Sequence, residues 1–236
     1  MHHLILYQST NKKFRKDSKY VFTPESEALE AFIKERGETV ERYPINGNQW
    51  DKDAVKADLI DACLTTIDKK VDVFHCLCHG WKTGFQFGFK GRSGARLLGS
   101  LIGSLRPKYV NLYACLTGKG TDNFAKWLFE YSALYYERCN DEFPQIMCHS
   151  TKGHSTKNAN VKLYFADSNG DLQSSMIYTR SHKLYWIWWY LLQTSNLRFE
   201  FPFLSKSQIS AIVSQASEKH GIWSDMKKLR KKVLKF

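Results

Sequence analysis

The stretch VDVFHCLCHGW, residues 71–81, decides how the chain is read. Its first eight residues are almost continuously apolar. That suits a parallel strand covered on both faces better than a half-solvated one. A strand over Val71–Cys78 then ends at His79-Gly80, where the hydrophobic run stops. Within it, His75, Cys76, Cys78 and His79 are all metal-ligand types. Period-two geometry sends His75, Leu77 and His79 to one side and Cys76 and Cys78 to the other, so the segment does not point all four at one ion. None of the remaining cysteines has C-x-x-C spacing, so no metal is expected.

Working outward, strand and helix signals alternate. His3–Gln8 reads as a buried strand. Thr23-Pro24-Glu25 opens a helix with a cap, a proline and an acid, and this helix stops at Gly37. Thr39–Ile45 is a second strand, made edge-like by Pro44. Val55, Leu59, Ile60, Cys63 and Leu64 have helical spacing within 51–68. The glycine-rich segment 82–94 suggests a small hairpin, and Ala95–Leu105 a helix ending before Pro107. Tyr109–Ala114 is a fourth strand. Thr121-Asp122 offers a cap for a helix over Asn123–Arg138, and Gln145–His149 is a fifth strand. Val161–Ala166 and Leu172–Tyr178 flank Ser168-Asn169-Gly170-Asp171, a hairpin signal. The alternation predicts an α/β fold with a mostly parallel sheet and right-handed crossovers.

Residues 180–204 are rich in aromatics and include LYWIWWYLL (184–192). Lys206–His220 and the basic Asp225–Phe236 read as helices. The expected organisation is a domain over 1–180 and a C-terminal aromatic and basic helical extension over 181–236, packed on the core.

The chain has 236 residues, 43% of them hydrophobic, which excludes wholesale disorder. The formal charge is +12, a surface that attracts nucleic acid, anionic membrane or an acidic partner without choosing among them. The basic tail 227–235 is one place where nucleic acid or membrane could bind; a solvated helix face is the plainer reading. The opening MHHLILYQSTNKK lacks the long apolar core of a secretory signal. The 184–192 run is about half of what a membrane span needs. A soluble, cytoplasmic protein with reduced thiols and no transmembrane segment is expected.

The second decisive stretch is VNLYACLTGKG, residues 110–120. Cys115 falls at the end of the fourth strand as His79 falls at the end of the third. Their separation of 36 residues fits one strand–helix–strand crossover of ~30 or more residues. Functional groups of an open parallel sheet gather beyond the carboxyl ends of its strands, so an imidazole and a thiol are expected across one cleft. Such a pair serves acyl transfer: the imidazole helps ionise the thiol and returns a proton to the leaving group. The backbone N–H groups of Gly80 and Cys115 are the candidate oxyanion donors. Cys76, Cys78, Cys63 and Cys148 read as buried thiols, and His75 as a core histidine. Thr117-Gly118-Lys119 is not a phosphate loop, because Tyr113 stands where that motif needs glycine. Asp122 is a charged candidate past the nucleophile, with helix capping its plainer role.

Cys78-His79-Gly80 together with Ala114-Cys115-Leu116-Thr117-Gly118 resembles the paired signatures of the caspase-like (clan CD) cysteine peptidases, most closely the CHAT branch; gingipain and legumain carry related ones. The resemblance implies a caspase-like three-layer sandwich with helices on both faces of the sheet. It implies a thiol protease with a Cys-His dyad: Cys115 as nucleophile, His79 as general acid/base, and Gly80 and Cys115 amides as the oxyanion hole. It requires no cofactor. It further implies a protein or peptide substrate, an activating protein partner, and a place in a bacterial defence or cell-death pathway. Caspases have Gln-Ala-Cys-x-Gly, whereas here Tyr113 precedes Ala114 and the glycine comes one place later, so a caspase preference for aspartate is not carried over. The competing expectation is a domain of this kind without activity, using its basic surface to bind nucleic acid or a protein.

Overall fold

The computed structural model of the protein describes residues 1–10, 22–46, 70–86, 88–150, 161–177, 205, 207 and 208. The expected helix over 51–68, the aromatic segment 180–204, and the helices over 206–220 and 225–236 lie outside the described residues, apart from Ser205, Ser207 and Gln208.

The strand predicted over 71–78 forms as β3, Val73–Leu77, and every one of its residues is buried. Among the described residues it is the third strand of a seven-stranded sheet of order β2-β1-β3-β6-β7-β8-β9. The other strands are β1 (His2–Thr10), β2 (Thr39–Asn46), β6 (Tyr109–Tyr113), β7 (Gln145–His149), β8 (Val161–Ala166) and β9 (Leu172–Ile177). Strands β2 to β7 in that order pair in parallel, while β8 and β9 add an antiparallel hairpin at one side. Among the described residues β2 stands at the other edge of the order, where Pro44 is tolerated. The hairpin in the glycine-rich segment is shorter and earlier than expected: β4 (Gly80–Trp81) pairs with β5 (Gly84–Phe85).

Helix α1 runs Thr23–Glu35, α2 Gly91–Leu105 and α3 Phe124–Cys139. Three boundary expectations change. Thr23 is the first residue of α1 and not its cap; Phe22 flanks the helix and supplies no side-chain bond. Helix α2 starts four residues before Ala95, at Gly91, whose φ of 62° suits glycine. The cap of α3 is Asn123, whose side chain accepts from the Lys126 N–H at 3.0 Å, and not Thr121-Asp122.

Helices α2 and α3 cover one face of the sheet. Leu4, Leu6, Phe74, Cys76, Cys78, Val110, Leu112, Ala114, Ile146 and Cys148 share one buried cluster with Leu98, Ile102, Phe124 and Leu128. These strand positions alternate, as one face requires. Helix α1 contacts β1 and β2. Its crossover runs in the opposite sense along the sheet to those of α2 and α3, and the right-handed rule then assigns it to the other face.

That other face carries a buried polar chain instead of a uniformly apolar one. His3, His75 and Asn111 are all at most 1% exposed. The Glu38 carboxylate lies 3.1 Å from His3 Nε2, His3 Nδ1 lies 2.9 Å from His75 Nε2, and His75 Nδ1 lies 3.2 Å from both the Tyr113 hydroxyl and the Asn111 amide nitrogen. One proton arrangement satisfies every link. Tyr113 and Asn111 donate to His75 Nδ1, His75 Nε2–H donates to His3 Nδ1, and His3 Nε2–H donates to Glu38. The His75 ring is then neutral. Burial holds the His75 imidazole well below the usual histidine range, and burial pushes the Tyr113 phenol well up, so it remains a donor.

This lowered affinity for a proton makes stability depend on pH. The unfolded chain protonates His75 below about pH 6.5, while the folded chain does not. The contribution is complete above that pH and is lost as pH falls, at up to about 1.4 kcal/mol per pH unit. Urea unfolding at pH 7.5 and 5.5 should show wild type losing about 1 kcal/mol more across that interval than His75→Gln.

Candidate active site

Strands β3 and β6 pair in register, Val73 with Tyr109 through Leu77 with Tyr113. The Cys78 N–H still reaches the Tyr113 carbonyl at 3.4 Å. Beyond this both chains leave the sheet at the same level, so His79 and Cys115 each follow two residues after a matched pair.

His79 is held at the carboxyl end of β1. Its N–H donates to the side-chain oxygen of the buried Gln8 at 3.3 Å, and its carbonyl accepts from the Gln86 N–H at 2.9 Å. The Phe22 ring meets the imidazole edge-on, with centroids 5.1 Å apart at 70°. Phe22 is itself fixed by a bond from its N–H to the Gln8 carbonyl, 2.9 Å. The ring of His79 is thus set against the entry to α1 and is only partly covered.

Gly80 joins the two halves. A Cβ at that position would lie 2.7 Å from Ala114 Cβ and 3.0 Å from the Cys115 carbonyl oxygen. The chain after β3 therefore presses directly on Ala114-Cys115, and only glycine permits it. What approaches Gly80 is the neighbouring strand end of the same chain.

Each residue of Ala114-Cys115-Leu116-Thr117-Gly118 has a local task. Ala114 is small enough to lie under Gly80. Cys115 is half-buried, in the first turn beyond β6. Leu116 has φ 62°, a left-handed conformation that costs a non-glycine residue roughly 1–2 kcal/mol. The turn is clamped around it. The Thr117 hydroxyl donates to the Ala114 carbonyl at 3.0 Å, and the Lys119 N–H to the Leu116 carbonyl at 2.9 Å. The Gly118 N–H reaches the His149 carbonyl of β7 at 2.9 Å, and the Ala125 N–H of α3 the Thr117 carbonyl at 3.0 Å. A side chain at Gly118 would collide with Cys148 Sγ. The thiol is thus carried on a turn tied to β7 and α3.

The structure therefore brings His79, Gly80 and Cys115 to one end of one strand pair. The neighbouring metal-ligand types do not converge there. Cys76 and Cys78 lie in the α2/α3 core with their sulfurs 3.9 Å apart, and His75 lies on the other face in the chain to Glu38. Burial, then the bond with Cys76, pushes the Cys78 thiol well up; burial pushes the Cys148 thiol up as well. Cys139, at the end of α3, is exposed. Asp122 does not cap α3: its Oδ1 accepts from Trp127 Nε1 at 2.6 Å and from Arg92 Nη2 at 3.3 Å. Among the described residues no three histidine, cysteine or acidic side chains gather as a metal site, and no helix is long and apolar enough to cross a membrane.

No family model and no curated protein matches the chain.

Sequence reasoning missed Gln8 and Phe22, which fix His79 from β1 and the start of α1. Both are far away in the chain, and neither forms a recognisable motif.

Gly80→Ala should be far more damaging than an exposed glycine-to-alanine change. The added methyl must displace Ala114 or the Cys115 backbone. A stability loss of about 1–3 kcal/mol is expected in urea unfolding, against less than about 1 kcal/mol for Ser104→Ala on the exposed side of α2.

Proposed function

We propose that the chain is a cysteine endopeptidase of the caspase-like kind, with Cys115 as nucleophile and His79 as general acid/base. The observation that carries this reading is the contact of Gly80 with Ala114 and the Cys115 carbonyl beyond adjacent parallel strands, which supports a shared site for the residues that follow them. Two strand ends meeting in this way supply the two groups that acyl transfer requires.

In the proposed reaction the Cys115 thiol gives its proton to the His79 imidazole, and the sulfur attacks the scissile carbonyl carbon. The oxyanion accepts hydrogen bonds from the Gly80 and Cys115 N–H groups. As the C–N bond breaks, the imidazolium returns the proton to the departing amine, leaving a thioester on Cys115. Water, deprotonated by His79, hydrolyses the thioester and restores the thiol. The left-handed turn at Leu116 favours this role, since backbone strain concentrates where a side chain must be held in a set position. The mostly parallel sheet with α2 and α3 on one face is compatible with the three-layer sandwich of that family. A cytoplasmic setting, an activating protein partner and a role in bacterial defence or cell death belong to the same proposal and rest on the resemblance alone.

A mixed peptide library incubated with wild type, Cys115→Ala and His79→Ala tests the reading. Cleavage by wild type should vanish in Cys115→Ala and fall by roughly 100-fold or more in His79→Ala. Equal product from wild type and Cys115→Ala would count against it and favour an inactive binding domain.

A further inference from the structure

The loop after Cys115 is surrounded by ammonium groups drawn from three separate places. Lys82 is in the turn between β4 and β5, Lys119 is in the loop itself, and Lys162 is on β8. Two of them converge on Gly120. The Lys162 Nζ donates to the Gly120 carbonyl at 3.2 Å and lies 4.8 Å from the centre of the Tyr164 ring. A Cβ built on Gly120 would stand 3.8 Å from Lys82 Cε and 4.0 Å from its Nζ. Lys119 precedes Gly120 and is exposed, as is Lys82.

Among the described residues these three amines have no carboxylate partner. The ion pairs formed elsewhere engage Lys34, Arg42, Arg92, Arg106, Lys108 and Lys126. Asp122, the one acid in this loop, is committed to Arg92 and Trp127. Lys82 and Lys162 both reach Gly120, where like charges repel each other, and an incoming anion relieves that repulsion.

The cluster adjoins the thiol. Lys82 is two residues beyond Gly80, at most about 7 Å of chain, and Gly80 touches the Cys115 carbonyl. Lys119 is folded back on the same turn by its bond to Leu116. An extended peptide advances ~3.3 Å per residue, so a substrate with its scissile bond at Cys115 passes these amines within about four residues.

We propose that Lys82, Lys119 and Lys162 form a subsite that selects polypeptide segments rich in aspartate and glutamate next to the bond cleaved at Cys115. This rests on the peptidase reading. Ammonium groups open to solvent respond to the charge of a segment and do not read one enclosed side chain. Nucleic acid is the other polyanion class, and it is disfavoured here. Stacking of bases needs open aromatic faces, and the ring under Lys162, that of Tyr164, is 2% exposed.

The test compares cleavage of matched peptides that differ only in acidic or neutral residues within four places of the scissile bond. Wild type should favour the acidic set by about fivefold or more at low salt, and the ratio should shrink as salt rises. It should approach one in Lys82→Gln/Lys162→Gln, turn against acid in Lys82→Glu/Lys162→Glu, and remain unchanged in Lys108→Gln at the far end of β6. Equal cleavage of both sets by wild type, or a ratio indifferent to the double variants, overturns the subsite while leaving the peptidase reading standing. If wild type and Cys115→Ala both leave every peptide intact, the peptidase reading has failed. Fluorescence anisotropy then tests the subsite alone. Poly-glutamate binding that weakens at least fivefold in Lys82→Gln/Lys162→Gln supports it. Absence of poly-glutamate binding, or tighter binding of a single-stranded oligonucleotide through the same lysines, overturns it.

Discussion

The candidate site depends on one constraint, the in-register parallel pairing of β3 with β6. Parallel strands leave a sheet at the same edge, so matched pairing of Leu77 with Tyr113 brings the residues that follow each strand to one level. A slip of one residue would turn His79 or Cys115 to the opposite face. Close approach of the two strand ends then leaves no room for a side chain at residue 80, and Gly80 lies against Ala114 and Cys115. The pairing and the glycine together account for His79 and Cys115, 36 residues apart in sequence, following neighbouring strand ends at one level.

The two faces of the sheet help hold that register in different ways. The face under α2 and α3 is apolar and close-packed, and it supplies the bulk of the hydrophobic stabilisation. Apolar packing by itself tolerates shifts. The opposite face adds directional contacts: His3 from β1, His75 from β3, and Asn111 and Tyr113 from β6 join across three neighbouring strands. Misregistering any one of them would strand a buried donor or acceptor, at a cost of about 1–3 kcal/mol. Buried polar chains of this kind contribute more to choosing one arrangement than to total stability. Here the chosen arrangement is the one that aligns the strand ends.

Much of the sheet was legible because its strands are continuous apolar runs bounded by glycine, proline or charge. Val71–Cys78 and Tyr109–Ala114 both formed where that pattern placed them. Pro44 marked β2 as an edge strand, and Ser168–Asp171 marked the β8–β9 turn. The errors occurred where a distant partner overruled a local signal. Asp122 is a good cap by type, but Trp127 and Arg92 take its carboxylate, so Asn123 does the capping. The glycines at 91 and 94 read as loop, yet they open α2, and Gly94 packs against Phe89. His3 and His75 are 72 residues apart, and nothing in either local sequence announces their contact. The same is true of Gln8 and Phe22 beside His79. The pairing of His79 with Cys115 was legible only because both fall at strand ends with crossover spacing between them.

The central claim is that His79 acts on Cys115 and on no other thiol. The exposed Cys139 provides an internal reference, because it lies at the far end of α3 and shares no element with His79. The most direct measurement is the rate of iodoacetamide capture at each cysteine near neutral pH, mapped by mass spectrometry in wild type and His79→Ala. The account predicts a fall of about tenfold or more at Cys115 with the Cys139 rate unchanged, since the thiolate is the species that reacts. Equal Cys115 rates in the two proteins would contradict it.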